Sequence, residues 1–144
     1  MQLTIREAVP DDYSVIYSLV VSELGYAQTD YGKFCTRLDI MNADVNLSTI
    51  VAAVEGKVAG FIGLSKGIAY NIDGEYMQVS ALAVSKEHQR KGIGSRLTKW
   101  AENFAVSNGI TTIVLTSRLH RTDAHAFYES NGYVKKSYGF KKDL

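Results

Sequence analysis

The order of elements between residues 75 and 117 constrains the fold more than any other stretch. A strand-like run, EYMQVSALAVS, leads through the basic turn QRKGIG at 89–94 into a helical pattern; Asn108-Gly109 ends that pattern, and the apolar run ITTIVLTS comes next at 110–117. A strand, a helix and another strand in one sheet imply a crossover between parallel strands. The helix is well marked, because Ile93, Leu97, Trp100, Ala101, Phe104 and Ala105 share a face from which Arg96, Lys99 and Glu102 fall away. The glycine turn therefore sits at a helix N-terminus, where backbone N–H groups lack intrahelical partners and the macrodipole is positive. Phosphate oxygens suit that place. Gly92 and Gly94 clear the approach, and Arg90 and Lys91 add positive charge. A tight connection with solvated cations would use the same residues, and a short motif does not separate the two readings.

Around this unit the periodicities predict a continuous α/β chain. LTIREA at 3–8 alternates as a strand, Pro10-Asp11-Asp12 opens a helix, and Ile16, Leu19, Val20 and Leu24 form its stripe before Gly25. A second helix is predicted over 31–42, with Phe34, Leu38 and Met41 on one side. The intervening GYAQTD either lines a site or simply turns the chain. STIVAAVEG and KVAGFIGLSK read as strands joined at Glu55-Gly56-Lys57, so a meander runs into the 75–85 strand. TDAHAFYES reads as a short helix closed by Asn131-Gly132, and a last strand is expected within YVKKSYGFKKDL. With 144 residues and no low-complexity linker, one domain over 1–144 is expected.

Several chemistries fit poorly. A Walker loop needs Gly-Lys-Ser/Thr after its spacer, but Ile93 comes directly after Gly92. A dinucleotide fingerprint needs a small residue where Leu97 stands. A formal net charge of +1 gives no general reason to expect nucleic acid or membrane as partner. The N-terminus lacks the build of a signal peptide, and no apolar run approaches the roughly 18 residues of a membrane span, so a cytoplasmic location is expected. The lone Cys35 has no nucleophile constellation around it, and His120 and His125, five apart, lack a completing acidic or cysteine cluster, so no metal is assigned.

Two motifs together are more specific. Leu82-Ala83-Val84 and then Gln89-Arg90-Lys91-Gly92-Ile93-Gly94 resemble the acetyl-CoA motif of the GNAT N-acetyltransferases, Gln/Arg-x-x-Gly-x-Gly/Ala. Ala126-Phe127-Tyr128-Glu129-Ser130-Asn131-Gly132-Tyr133 is similar to that family's tyrosine helix and the strand after it. The resemblance covers nearly the whole chain. It implies a mixed, mostly antiparallel, V-shaped sheet flanked by helices, whose parallel fourth and fifth strands splay to admit acetyl-CoA. Leu82, Ala83 and Val84 would pair with the pantetheine arm as an added strand does. The N–H groups from Arg90 through Ser95 would hold the pyrophosphate.

The resemblance also implies an activity, transfer of acetyl from acetyl-CoA to a primary amine of a small molecule or peptide by direct attack. Backbone N–H groups near Val84 would polarise the thioester carbonyl, and Tyr128 would protonate the departing sulfur. A packing role for Tyr128 is the plainer alternative. The family's usual glutamate position, four before Leu82, holds Gln78, whose amide cannot take a proton. Glu75, Tyr76, a water chain or a neutral amine remain open, with Glu23 a further acidic candidate. A noncatalytic acyl-CoA-binding module is the alternative reading. Arg118, Arg121 and Asp123 either touch a substrate or are solvated loop charges. A homodimer is expected through the terminal strand edge.

Overall fold

The computed structural model describes all residues, 1–144. The fold is the expected α/β one, a five-stranded mixed sheet in the order β1-β2-β3-β4-β5. Its strands are β1 (Leu3–Glu7), β2 (Leu47–Val54), β3 (Lys57–Ile68), β4 (Glu75–Val84) and β5 (Ile113–Leu115). β1 through β4 pair antiparallel, and β5 runs parallel to β4. The helices are α1 (Tyr13–Ser22), α2 (Tyr31–Ala43), α3 (Ile93–Ser107) and α4 (Thr122–Ser130). By backbone contact the chain forms two compact units, Met1–Val114 and Leu115–Leu144.

In the first unit the sheet separates two layers of side chains. Val51, Phe61 and Ala83, side by side on β2, β3 and β4, join Tyr13, Ile16 and Leu19 of α1 and Phe34 and Leu38 of α2 in one buried cluster. Strand alternation sends the intervening Ile50, Ile62, Leu64, Met77 and Val79 to the opposite face, and all are buried. α3 packs on β2, β3 and β4 with Ile93, Leu97, Ala101 and Ala105 buried, as its periodicity requires. The Glu55-Gly56 turn is as expected, with both residues at positive φ (50° and 80°), the geometry a two-residue hairpin needs.

A bulge interrupts the β3–β4 ladder. Gly63 pairs with Ala81 and Leu64 with Val79, so Ser80 is an extra residue on β4. Its effect is to reset the alternation: Met77 and Val79 before it share a face with Leu82 and Val84 after it, while Tyr76 and Gln78 lie with Ala81 and Ala83.

Two expectations need correction. The fifth strand covers 113–115 rather than 110–117. Ile110, 2% exposed, instead belongs to the stop of α3: its N–H donates to Ala105 O and that of Gly109 (φ 74°) to Val106 O. This double closure satisfies carbonyls the helix leaves free. The last strand expected within 133–144 does not form. Its paired lysines, 135–136 and 141–142, break the period-2 pattern, and Gly139 weakens strand preference further.

Candidate active site

β4 delivers the first group of residues. Ser85 N–H donates to Ala59 O of β3 at 2.8 Å. Because backbone polar groups alternate between a strand's two neighbours, those of Ala83 also turn to β3, whereas those of Leu82 and Val84 point away from it. The same outward side carries Met77 N–H, which donates to Thr112 O just before β5 at 3.0 Å. Leu82 thus presents a backbone donor and acceptor, and Val84 its N–H, in the manner an added strand would use. Ala83, 5% exposed, is committed to the core cluster and the β3 ladder.

The chain leaves β4 through a 3₁₀ turn, Lys86–His88, tied by a Ser85 Oγ–His88 Nδ1 bond of 2.7 Å. Gln89 comes next. Its amide Nε2 donates to Val84 O at 2.9 Å and to Glu23 Oε1, just past the end of α1, at 2.8 Å. Arg90 (φ 63°) and Gly92 (φ 80°) both take the left-handed conformation. Glycine adopts it freely, but in arginine it is a strained choice that the surroundings must impose. Gly92 is the N-cap of α3, and its carbonyl receives the first intrahelical bond from Arg96 N–H at 3.0 Å. Having no side chain, Gly92 leaves the N–H groups of Ile93, Gly94 and Ser95 without a side-chain cap. Arg90, Lys91 and Arg96 are exposed around them, while Ile93 is buried and anchors the turn. Uncapped donors, the positive helix end and three cations are the features that suit an anion.

Tyr128 belongs to the second unit. The α4 stop mirrors that of α3: Tyr133 N–H donates to Tyr128 O at 3.0 Å and Gly132 N–H (φ 90°) to Glu129 O at 3.1 Å. This closure brings the Tyr133 ring edge-on to the Tyr128 ring, 5.9 Å between centroids, with Phe127 on another side at 5.4 Å. The Asn131-Gly132-Tyr133 sequence thereby orients Tyr128. Burial pushes the Tyr128 hydroxyl above its ordinary pKa, opposed by the Arg121 charge, so it remains a proton donor at neutral pH. On the same helix, His125 Nε2 donates to Arg118 O at 2.8 Å, which holds the loop before α4.

The residues at and near the family's usual base position separate by face. Gln78 and Tyr76 lie on the α1–α2 side of β4. Tyr76 lies across Gly67, where any Cβ would sit 2.8 Å from its ring. Glu75 is exposed and lies on the other face. The GYAQTD segment lines an open depression of about 520 Å³ together with Lys33 and Arg37. Its shape is held by Tyr17 Oη donating to Thr29 O at 2.7 Å and by Asp30 Oδ2 capping α2 at Lys33 N–H, 2.9 Å. No pattern in the sequence signals the Gln89–Glu23 bond, which joins residues 66 apart, or the Ser80 bulge.

A sheet of this order, with a basic glycine turn between β4 and α3, is the arrangement that the acetyl-CoA motif implies for an acyl-CoA-dependent transferase. Comparison agrees: residues 7–133 match the Acetyltransferase (GNAT) family, and the chain belongs to it. It is 29% identical over 140 residues to an aminoalkylphosphonate N-acetyltransferase of Salmonella typhimurium, covering 97% of this chain and 90% of that one. A GNAT family acetyltransferase of Staphylococcus aureus superposes with TM-score 0.81 at 27% identity, covering both chains completely. A protein described as a transcriptional regulator from Bacillus halodurans superposes with TM-score 0.92 at 25% identity, over 99% of this chain and 100% of that one. The chain therefore stands among the GNAT-type N-acetyltransferases, a family that uses acetyl-CoA and an amine acceptor.

Proposed function

We propose that the protein transfers acetyl from acetyl-CoA to the primary amine of a small acceptor that also carries an anionic group, of the aminoalkylphosphonate kind. The observation that carries the cofactor half is the outward backbone of Leu82 and Val84 ending beside the uncapped start of α3. In this reading Leu82 and Val84 pair with the pantetheine arm, and the 90–95 turn holds the pyrophosphate with its N–H groups, helped by Arg90 and Lys91. The match to the Salmonella enzyme along almost the full length of both chains supports the acceptor half. So does the depression beside α2, where Lys33 and Arg37 supply two cations for a phosphonate. The family match spans both compact units, which supports treating 1–144 as one catalytic domain.

Chemistry needs little from the protein beyond placement. The neutral acceptor amine attacks the thioester carbonyl, the Val84 N–H stabilises the developing oxyanion, and Tyr128 gives its proton to the leaving sulfur. With an amide at Gln78, the amine's proton leaves through water. Gln78 also favours a second reading, a module that binds acyl-CoA without turning it over. Release of free thiol from acetyl-CoA across a panel of amines, aminoalkylphosphonates, aminoglycosides and peptide N-termini tests both. Turnover selective for the phosphonates supports the first reading. Tight cofactor binding with no turnover across the panel supports the second.

A further inference from the structure

We propose that Glu23 is a positioning residue for the acetyl-CoA turn, acting through the amide of Gln89. The inference rests on the proposed assignment of that turn to the cofactor. Gln89 lies between β4 and the α3 turn, and its two amide hydrogens are both used, on Val84 O (2.9 Å) and on Glu23 Oε1 (2.8 Å). A carboxylate only accepts hydrogen bonds, as does a carbonyl. Glu23 therefore fixes which end of the amide faces Val84. With the NH₂ group held there, the Val84 carbonyl is satisfied from within the protein, and its N–H is left for the ligand. Turned over, the amide would place its oxygen against two acceptors. The bond also pins the start of the turn to the end of α1, ahead of the strained Arg90 and the left-handed Gly92. Glu23 is half-buried.

Simple electrostatics predicts the opposite of this role, and that makes it testable. A carboxylate close to a pyrophosphate site repels the ligand, so removing it should tighten binding if charge were all that mattered. If Glu23 positions the turn, its removal should weaken binding. Acetyl-CoA affinity is measured by titration calorimetry on wild type, Glu23→Ala, Glu23→Gln and Gly94→Glu, with folding checked by circular dichroism, alongside steady-state kinetics. We expect Glu23→Ala to raise Kd and KM for acetyl-CoA about five- to tenfold, the scale of one hydrogen bond. Glu23→Gln, which keeps an accepting oxygen, should return both to within about twofold of wild type. Tighter or unchanged binding in Glu23→Ala overturns the proposal. So does a collapse of kcat in Glu23→Gln at unchanged affinity, which would make Glu23 a proton acceptor instead. Gly94→Glu separates the premise from the inference, because a side chain and negative charge in the turn should abolish binding. If it does not, the cofactor assignment itself falls.

Discussion

Tyr128 and Asp12 show how differently single side chains are supported in this molecule. Tyr128 is held by ring contacts, and burial raises its pKa above the ordinary 10.0. As the proposed proton donor, it should make Tyr128→Phe lose turnover by about ten- to ten-thousand-fold, and the lower end is favoured because thiols of pKa near 8.5 leave readily as thiolates. The phenyl ring keeps both ring contacts, so stability should fall by no more than about 1.5 kcal/mol. Turnover against pH for both proteins checks this; equal rates throughout would leave Tyr128 a packing residue. Asp12 is held by charge. Its carboxylate accepts from Arg6 at 2.7 and 3.0 Å and from Val9 N–H at 2.9 Å, with the side chain 7% exposed. The Arg6 bonds hold its pKa below the usual 3.8 despite burial. The resulting stability is fully present above pH 3.8 and is lost as pH falls through the lowered value, where the folded carboxylate takes up its proton. Asp12→Asn should cost about 2 kcal/mol at pH 7, and urea unfolding should show the gap narrowing only below pH 3.8.

Among the elements, β4 is closely fitted against β3. At Gly60 on β3 an added Cβ would lie 2.9 Å from Ala83 O and 3.2 Å from Val84 Cγ2. Backbone cannot swing aside as a flexible side chain can, so Gly60→Ala must push β4 at the residues proposed to meet pantetheine. We expect a loss of about 1–3 kcal/mol in stability and a weakened grip on acetyl-CoA, both readable from thermal melts with and without the ligand. An unchanged melt would mean the two strands separate more easily than their packing suggests. The periodicities made α2, α3 and α4 legible, because each carries apolar residues at helical spacing and ends at a glycine or a polar cap. They also made the β4–turn–α3 order legible, and with it the cofactor candidates. The Ser80 bulge was not legible, since one extra residue leaves no mark on an apolar run. Ile110 read as strand because an apolar helix stop and an apolar strand start look alike. Gln89's partner was hidden because the bond depends on where the end of α1 arrives.

At the scale of the whole molecule, a net charge of +1 gives little self-repulsion against association. The terminal segment exposes Val134, Tyr138, Phe140 and Leu144, the last two almost fully. No strand forms there, so a partner would be met by an apolar segment rather than by a ready sheet edge. We propose a homodimer on that basis, to be seen by light scattering as twice the 15.9 kDa of the chain. A monomer at high micromolar concentration would remove the dimer and leave acetyl transfer untouched. The extra residue in β4 bears on how such a chain can change over generations. Before Ser80 the residues on the α3 face are odd-numbered, Met77 and Val79, and after it they are even-numbered, Leu82 and Val84. The extra residue absorbs that change of parity, so losing the codon for Ser80 would set Val79 beside Ala81 in an unbroken alternation and leave the other side chains on their present faces. The strand can therefore shed this one residue without turning either its core or its cofactor edge, and here its length as well as its composition is free to drift.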